Sequence, residues 1–541
     1  MTPQSAQQRF HHLDALRAFA MLLGLVIHAV MSFIAIPVWP AQDIYQNDDL
    51  YGFLLHGIHG FRMPLFFLIS GFFTTLLWKR RGVKGLLKNR AIRILVPLAI
   101  GTIVLAPVMI GLSIWGGTTK ETNATSKGVV AEGATIWSAA KEGDTEYLTT
   151  ALDDGAIPNE PDSSGITPLA WAAMTGEIEA MNLLLEHGAD VNARGKDGNT
   201  PLHGAAFLGR HNAVTLLLKN GALPDPQNQR GETPLDNTRT PWEVVKWISG
   251  MLKVEVSQDE VMSGREKVFE MLEAAAGATE DPQPDREESG FSKLVGIWTF
   301  GSMIPVFHHL WFLYYLCLLV TLFLLFAPLM SRLPARVSKV LTGRVVCWFW
   351  LVPLTFAAQF LMRQSFGPDT ATGILPWLPK LFYYAIFFGF GVMCFGKETF
   401  EQRAGKFWPI HFLLALPVLL AALYFFEDRS EDFATFQSLY SLFAALYAWL
   451  MIFGFIGVFR RFFSAENSKI RYLSDSAYWL YLAHLPLVIA LQILVSGWDF
   501  PGPIKLLGIL IVMSALLLLT YEWFVRYTWI GAILNGRKTS A

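Results

Sequence analysis

Long apolar runs separated by short polar loops make up most of this chain, and one long polar stretch, residues 116–293, interrupts them. Ten runs are long enough to cross a bilayer: near 13–37, 51–78, 90–115, 307–330, 343–362, 379–396, 407–426, 436–459, 475–496 and 503–526. Residues 291–306 are ambiguous between an interfacial and a re-entrant segment. The pattern predicts an all-α, polytopic bundle of about ten spans, in two parts (1–116 and 294–541) around an inserted domain (117–293). With 53% hydrophobic residues among 541, a wholly soluble protein is excluded.

Charge sharpens the division. Residues 116–293 carry 29 acidic against 15 basic side chains, leaving 15 against 28 elsewhere. An acidic domain is thus set into a basic membrane protein. Cations of short loops stay cytoplasmic, and the loop after the second run holds seven: Lys79, Arg80, Arg81, Lys84, Lys88, Arg90 and Arg93. Later loops alternate in the same sense, which predicts cytoplasmic termini and an insert on the outer face. No cleavable signal peptide is expected, because the first apolar run is long and lacks a cleavage pattern. Cys317, Cys347 and Cys394 fall in apolar runs and suggest neither a disulfide framework nor a metal site.

Within the insert, Thr167-Pro168-Leu169, Thr200-Pro201-Leu202 and Thr233-Pro234-Leu235 recur every 33 residues, as do Gly155-Ala156, Gly188-Ala189 and Gly221-Ala222. This period, with Thr200-Pro201-Leu202-His203-Gly204-Ala205, fits the ankyrin repeat. About three helix-pair units are expected over 134–231, then a degenerate unit to about 277 with Val268, Phe269 and Leu272 on its apolar face. Stacked repeats present a concave surface for a protein partner; an inert spacer is the other reading. His187, His203 and His211 match framework or surface positions of the repeat. Residues 116–133 and 278–290 read as linkers.

Ionisable groups inside apolar runs are costly and usually face a polar cavity. In the first run Arg17 and His28 share a helical face, about 16 Å apart along the axis. In the second, His56, His59 and Arg62 share a face near the outer end. His308 and His309 open the fourth run, and His484 lies in the ninth. His28, Arg17 and Arg62 are therefore read as functional by default. Each has a structural alternative: a hydrogen-bonded core histidine, or an arginine on backbone carbonyls. Ser70, before Gly71, is a nucleophile or a helix-packing position. Glu522 and Arg526 read as a structural ion pair.

Leu13-Asp14-Ala15-Leu16-Arg17-Ala18 with His28, then His59-Gly60-Phe61-Arg62-Met63-Pro64-Leu65-Phe66-Phe67-Leu68-Ile69-Ser70-Gly71-Phe72, strongly resemble the opening of the acyltransferase-3 family of multipass membrane enzymes. His309-Leu310-Trp311-Phe312-Leu313 and Ser476-Ala477-Tyr478-Trp479-Leu480-Tyr481-Leu482-Ala483-His484-Leu485-Pro486 match its later signatures in order. Phe61-Arg62-Met63 and Tyr521-Glu522-Trp523 are most similar to the branch that succinylates osmoregulated periplasmic glucans. That branch typically lacks the insert.

The resemblance implies an inner-membrane enzyme that passes an acyl group, succinyl or acetyl, from cytoplasmic acyl-CoA to a hydroxyl of an extracytoplasmic carbohydrate. It implies acyl-CoA as co-substrate and no tightly bound cofactor. Acyl transfer to a hydroxyl needs a base and an oxyanion donor; His28 is the candidate base, Arg17 orients the thioester or holds a phosphate below it, and Arg62 serves the oxyanion or a succinyl carboxylate. A metal site from the histidines is the lesser reading, because no carboxylate or cysteine completes it. The phosphates of acyl-CoA call for cations, and Arg90, Arg93, Lys88 and Arg81 are the candidates, although topology alone also makes such a loop basic. His56, His59, His309, Trp311, His484 and Ser70 are the candidates for substrate contact. Expected partners are membrane lipid, the carbohydrate acceptor and a protein on the repeats, with no nucleic acid. The alternatives are a carrier or flippase for a lipid-linked sugar with the repeats as receptor, and a membrane anchor for an interaction module.

Overall fold

The computed structural model describes residues 10–34, 39–126, 135–162, 165–195, 197–228, 231–252, 254–276, 306–331, 335–343, 345–362, 373–396, 405–427 and 433–536, which form helices and connecting turns with no strand among them. They fall into two compact units, one of Met1–Glu121 with Val295–Ala541 and one of Thr122–Leu294.

The membrane unit opens with α1 (His11–Val30), α2 (Asp48–Arg90) and α3 (Val96–Ser126). The repeat unit follows as α4 (Ile136–Glu142), α5 (Thr145–Asp153), α6 (Pro168–Thr175), α7 (Ile178–Glu186), α8 (Pro201–Phe207), α9 (His211–Lys219), α10 (Pro234–Asn237), α11 (Trp242–Met251) and α12 (Gln258–Ala276). The membrane unit resumes with α13 (Trp311–Ser331), α14 (Ala335–Leu341), α15 (Val346–Met362), α16 (Leu378–Cys394), α17 (Trp408–Glu427), α18 (Phe433–Phe462), α19 (Ser468–Val495), α20 (Gly502–Thr520) and α21 (Trp529–Asn535).

Among the described residues seven helical stretches are long and apolar enough to cross a membrane, so this is a membrane protein. The expected ten spans are not reached by that measure, for two physical reasons. The second and third runs form one helical path, Leu50–Gly117, kinked where Gly82 takes a φ of 65°. The fifth and sixth runs form helices of only 17 residues each, α15 and α16, the lower limit for a span. Residues 116–133, expected as a linker, are helical as far as Ser126, since an existing helix propagates at little cost where no proline intervenes. The ambiguous 291–306 stretch, apart from Val306, and the expected linker 278–290 lie outside the described residues.

Small residues set the helix crossings. A Cβ on Gly71 would collide with the carbonyl oxygen of Phe388, and one on Gly391 with that of Leu68. α2 and α16 therefore meet backbone to backbone, as expected where packing rather than water drives association. Ser70 is buried at this crossing. α1 and α19 pack side by side, which joins the first apolar run to the ninth.

In the repeat unit, Thr167, Thr200 and Thr233 sit at helix N-caps with proline next, where its missing N–H costs nothing. Asn159 links its loop to the next repeat through Gly188 O (3.3 Å) and Asp190 N–H (2.7 Å), and Asn192 repeats the pattern on Gly221 O (3.2 Å) and Leu223 N–H (2.9 Å). His203 is buried. Its Nδ1 accepts from Thr200 N–H (3.1 Å), and its Nε2 donates to Glu232 O (3.1 Å). α12 closes the stack with Val261, Val268 and Leu272 buried. Its Arg265 donates to Phe207 O (2.5 and 2.9 Å) and Thr240 O (2.6 Å), and burial lowers its pKa to about 10.

Candidate active site

Three histidines from three distant parts of the chain converge inside the membrane unit. His28 on α1 and His484 on α19 are hydrogen-bonded, Nδ1 to Nε2, at 2.7 Å. The ring of His309, just before α13, lies 5.0 Å from that of His484 and 6.3 Å from that of His28.

Proline explains part of this arrangement. Pro486 interrupts α19 and has no N–H to give the carbonyl four residues earlier, that of Leu482. That carbonyl is taken by His309 Nε2, at 3.3 Å. The Tyr481 carbonyl accepts from His484 Nδ1 (2.7 Å), and the Tyr481 hydroxyl donates to the His309 carbonyl (2.7 Å). His308 holds a φ of 43°, the only left-handed non-glycine among the described residues. Such backbone is costly and is kept where its surroundings enforce it; here it aims His309 inward.

A second set of contacts fixes His28. Trp39 lies parallel to its ring, 1° between planes and 6.2 Å between centroids. Trp39 Nε1 donates to Gln492 Oε1 (3.0 Å), while Gln492 Nε2 donates to the carbonyls of His28 (2.8 Å) and Ala29 (3.0 Å). The loop carrying Trp39 is held in turn by a buried ion pair, Asp43 with Lys505, at 2.8 Å.

Arg62 completes the centre. Its guanidinium fills the space left by Gly24 on α1 and acts electrostatically on His28, Tyr481 and Tyr384. Two buried polar atoms here, Arg62 Nε and His309 Nδ1, have no hydrogen-bond partner among the described residues. Two partner-seeking groups beside a histidine pair suit a bound polar substrate. His59 lies close enough to His28 and His56 to act on both.

The cationic candidates lie elsewhere. Arg17 belongs to a group of cations with Arg81, Arg90 and Arg93, near Tyr478, and is 3.5 Å from Asp14. Arg90 Nη2 donates to Thr74 Oγ1 (2.7 Å), and Tyr478 Oη donates to the Arg93 carbonyl (2.5 Å). Lys88 is exposed. Trp311 is buried among Phe67, Tyr315 and Tyr384. The Ser70 carbonyl accepts from Thr74 Oγ1 (2.7 Å). Glu522 and Arg526 form an ion pair at 2.8 Å. Sequence reasoning passed over Trp39, Gln492, Tyr481 and the Asp43–Lys505 pair. Only Lys505, a charge inside an apolar run, carried a signal that could have revealed them.

A family model described as an acyltransferase domain matches residues 10–135 and 254–522, and one described as ankyrin repeats, in three copies, matches 136–235. The first match resumes inside the segment that packs with the repeats. Glucans biosynthesis protein C of Escherichia coli (strain K12) is 34% identical over 99 residues, 18% of this chain and 25% of that protein. Its counterpart in Shigella dysenteriae serotype 1 (strain Sd197) is 34% identical over 122 residues, 22% and 31%. The chain thus spans about a quarter to a third of the length of these curated relatives. The acyltransferase model covers most of the chain and its two matched segments contain every residue of the histidine and arginine centres: the chain belongs to the acyltransferase-3 family, with ankyrin repeats set into its membrane domain.

Proposed function

We propose that this protein is an inner-membrane O-acyltransferase that moves an acyl group from acyl-CoA to a hydroxyl of an extracytoplasmic carbohydrate, a glucan in the first instance. The observation that carries the reading is the His28–His484 pair beside Arg62, whose Nε lacks a partner among the described residues. His28 takes the proton of the acceptor hydroxyl, and the oxygen attacks the thioester carbonyl. Arg62 holds the oxyanion, and collapse expels the CoA thiolate, which leaves with the proton. The arginine group, about 16 Å along α1 from His28, receives the donor phosphates. The acceptor comes from the end where Trp39 and the Asp43–Lys505 pair lie.

Two observations support this polarity. The cation-rich end of α2, around its kink at Gly82, marks a cytoplasmic face by the positive-inside rule. α3 then runs to the other end, where a Cβ on Gly116 would meet the carbonyl of Pro40, before the chain enters the repeats. On this reading both termini are cytoplasmic. The repeats are periplasmic, bind a protein partner and tune acceptor choice rather than chemistry. The glucan acceptor follows the printed name of the relatives, Glucans biosynthesis protein C. The test is mass spectrometry of envelope carbohydrates from cells with the intact protein, without it, and with His28→Ala. An acyl mass present only with the intact protein is expected, and identical spectra in all three would overturn the proposal.

A further inference from the structure

We infer that His484 is a positioning residue that holds His28 in its Nδ1–H tautomer, so that Nε2 is the atom that takes the acceptor's proton. The inference rests on the reading of His28 as the base and assigns the atoms through which that base works.

The order of hydrogen bonds requires it. A backbone carbonyl only accepts, so the 2.7 Å contact between His484 Nδ1 and the Tyr481 carbonyl places a proton on Nδ1. A neutral imidazole carries one N–H, which leaves His484 Nε2 with a lone pair. Nε2 faces His28 Nδ1 at 2.7 Å, and two facing lone pairs make no bond. The shared proton therefore belongs to His28 Nδ1, and the lone pair of His28 falls on Nε2. No hydrogen bond reaches Nε2 among the described residues, which leaves its lone pair available to a substrate. The chain runs Tyr481 C=O to His484 to His28 to acceptor hydroxyl, with a backbone carbonyl where other acyl-transfer enzymes place a carboxylate.

The same logic fixes His309. Its Nε2 donates to the Leu482 carbonyl, so its Nδ1 has the lone pair, buried and without a partner among the described residues. His309 is thus oriented by the turn of α19 that orients His484. That one turn, from Tyr481 to Pro486, sets the tautomers of two rings on other elements. The remaining lone pair of each is left to the substrate.

In the reaction itself, His28 Nε2 takes the acceptor's proton and becomes imidazolium while the C–O bond forms. The Nδ1–H bond to His484 persists throughout. The proton on Nε2 then passes to the departing thiolate as the C–S bond breaks, and the ring returns to its starting tautomer with no net change.

The test uses the full-length protein, labelled with ¹⁵N-histidine in lipid nanodiscs, with His28 signals assigned by their loss in His28→Gln. In the wild type, His28 should be protonated at Nδ1 and bare at Nε2. In His484→Ala it should shift toward the Nε2–H form, with kcat falling on the order of 10²-fold and KM for donor and acceptor changing far less. His484→Gln, whose side-chain oxygen accepts from Nδ1–H, should restore the tautomer and most of kcat; a purely packing role would not separate Gln from Ala in this way. An Nε2–H tautomer in the wild type overturns the proposal and leaves His28 standing as base, and that spectrum does not depend on any variant folding. Unchanged tautomer and kcat in His484→Ala overturn it as well. Near-normal turnover in His28→Ala would instead overturn the reading of His28 as base.

Discussion

Gly24 on α1 leaves the space that the Arg62 guanidinium of α2 occupies: a Cβ at position 24 would overlap Arg62 Nη1. The obstructed atom is the tip of a flexible side chain, so Gly24→Ala should fold and insert normally while pushing the guanidinium off its place. A displacement of about 1 Å costs on the order of 10²-fold in rate. With Arg62 as the oxyanion donor, glycine is needed at this position for chemistry rather than for helix packing. Purified Gly24→Ala should match the wild type in thermal unfolding and fall at least about tenfold in kcat. Equal kcat would detach Arg62 from the reaction.

Pro486 gives the opposite sign for stability. Replacing it by alanine restores an N–H to the Leu482 carbonyl, which His309 Nε2 now uses. An interior proline costs a helix roughly 3 kcal/mol, part of which the His309 bond offsets. Pro486→Ala should therefore be at least as stable as the wild type and less active, because His309 loses its anchor. A variant both stable and fully active would show that His309 orientation does not matter to turnover.

How far these relationships were legible depended on whether a residue carried an unusual cost. His28, Arg62 and His484 stood out because charge or titratability in an apolar run needs an explanation. That His28 and His484 touch, 456 positions apart, has no local signal at all. Trp39, Gln492 and Tyr481 were passed over because aromatic and amide side chains at span ends are ordinary. Arg17 shares a helical face with His28, and the arithmetic of that face was sound. Eleven residues of rise carry it to the arginine group, about 16 Å from His28, where holding a donor phosphate is the role its place suits. The repeats were legible because a 33-residue period imposes the same caps and turns three times. The span count was not, because Gly82 decides where one helix stops and Val346–Met362 and Leu378–Cys394 are short.

The arginine group yields a prediction about the donor. Arg93→Gln and Arg17→Gln should each raise KM for acyl-CoA about tenfold, the worth of one charge-assisted hydrogen bond, with kcat nearly unchanged. Salt screens exposed charges, so raising ionic strength should narrow the gap between wild type and variants. Arg90 is the less clean probe, because its bond to Thr74 also ties the end of α2 to its middle. Unchanged KM in both variants would leave the cations as a topology signal only.

His203 makes the repeat unit sensitive to acid. Burial lowers its pKa below the usual 6.5, and its Nδ1 must stay bare to accept from Thr200. The unfolded chain therefore takes up a proton first as pH falls. The stabilising contribution is complete above about 6.5 and is lost as pH drops toward the lowered folded value. Hydrogen exchange on the full-length protein, corrected for intrinsic rates, should show residues 200–235 losing protection between pH 7.5 and 5.5. His203→Ala should remove that pH dependence and cost about 1–2 kcal/mol at neutral pH through loss of the cap. Protection that is flat with pH in the wild type would contradict the assignment.

The Asp43–Lys505 pair should behave as a buried clamp whose partners are worth more together than apart. Both side chains are nearly inaccessible, 1% and 2% exposed, and the ammonium contacts both carboxylate oxygens at 2.8 Å. Removing one partner strands a buried charge and costs about 3–5 kcal/mol, whereas replacing both with apolar groups costs far less. Asp43→Ala should therefore lower the unfolding temperature sharply in nanodiscs, and Asp43→Ala with Lys505→Met should recover much of the loss. The clamp joins the start of α20 to the loop that lays Trp39 on His28, so activity and stability should part in the double variant. With the charges gone the fold recovers, but the loop is no longer fixed, and kcat should stay below wild type by about the factor that Trp39→Ala produces alone. Strictly additive losses in the double variant would mean that the two residues act independently, and full recovery of kcat would mean that the clamp does not place Trp39.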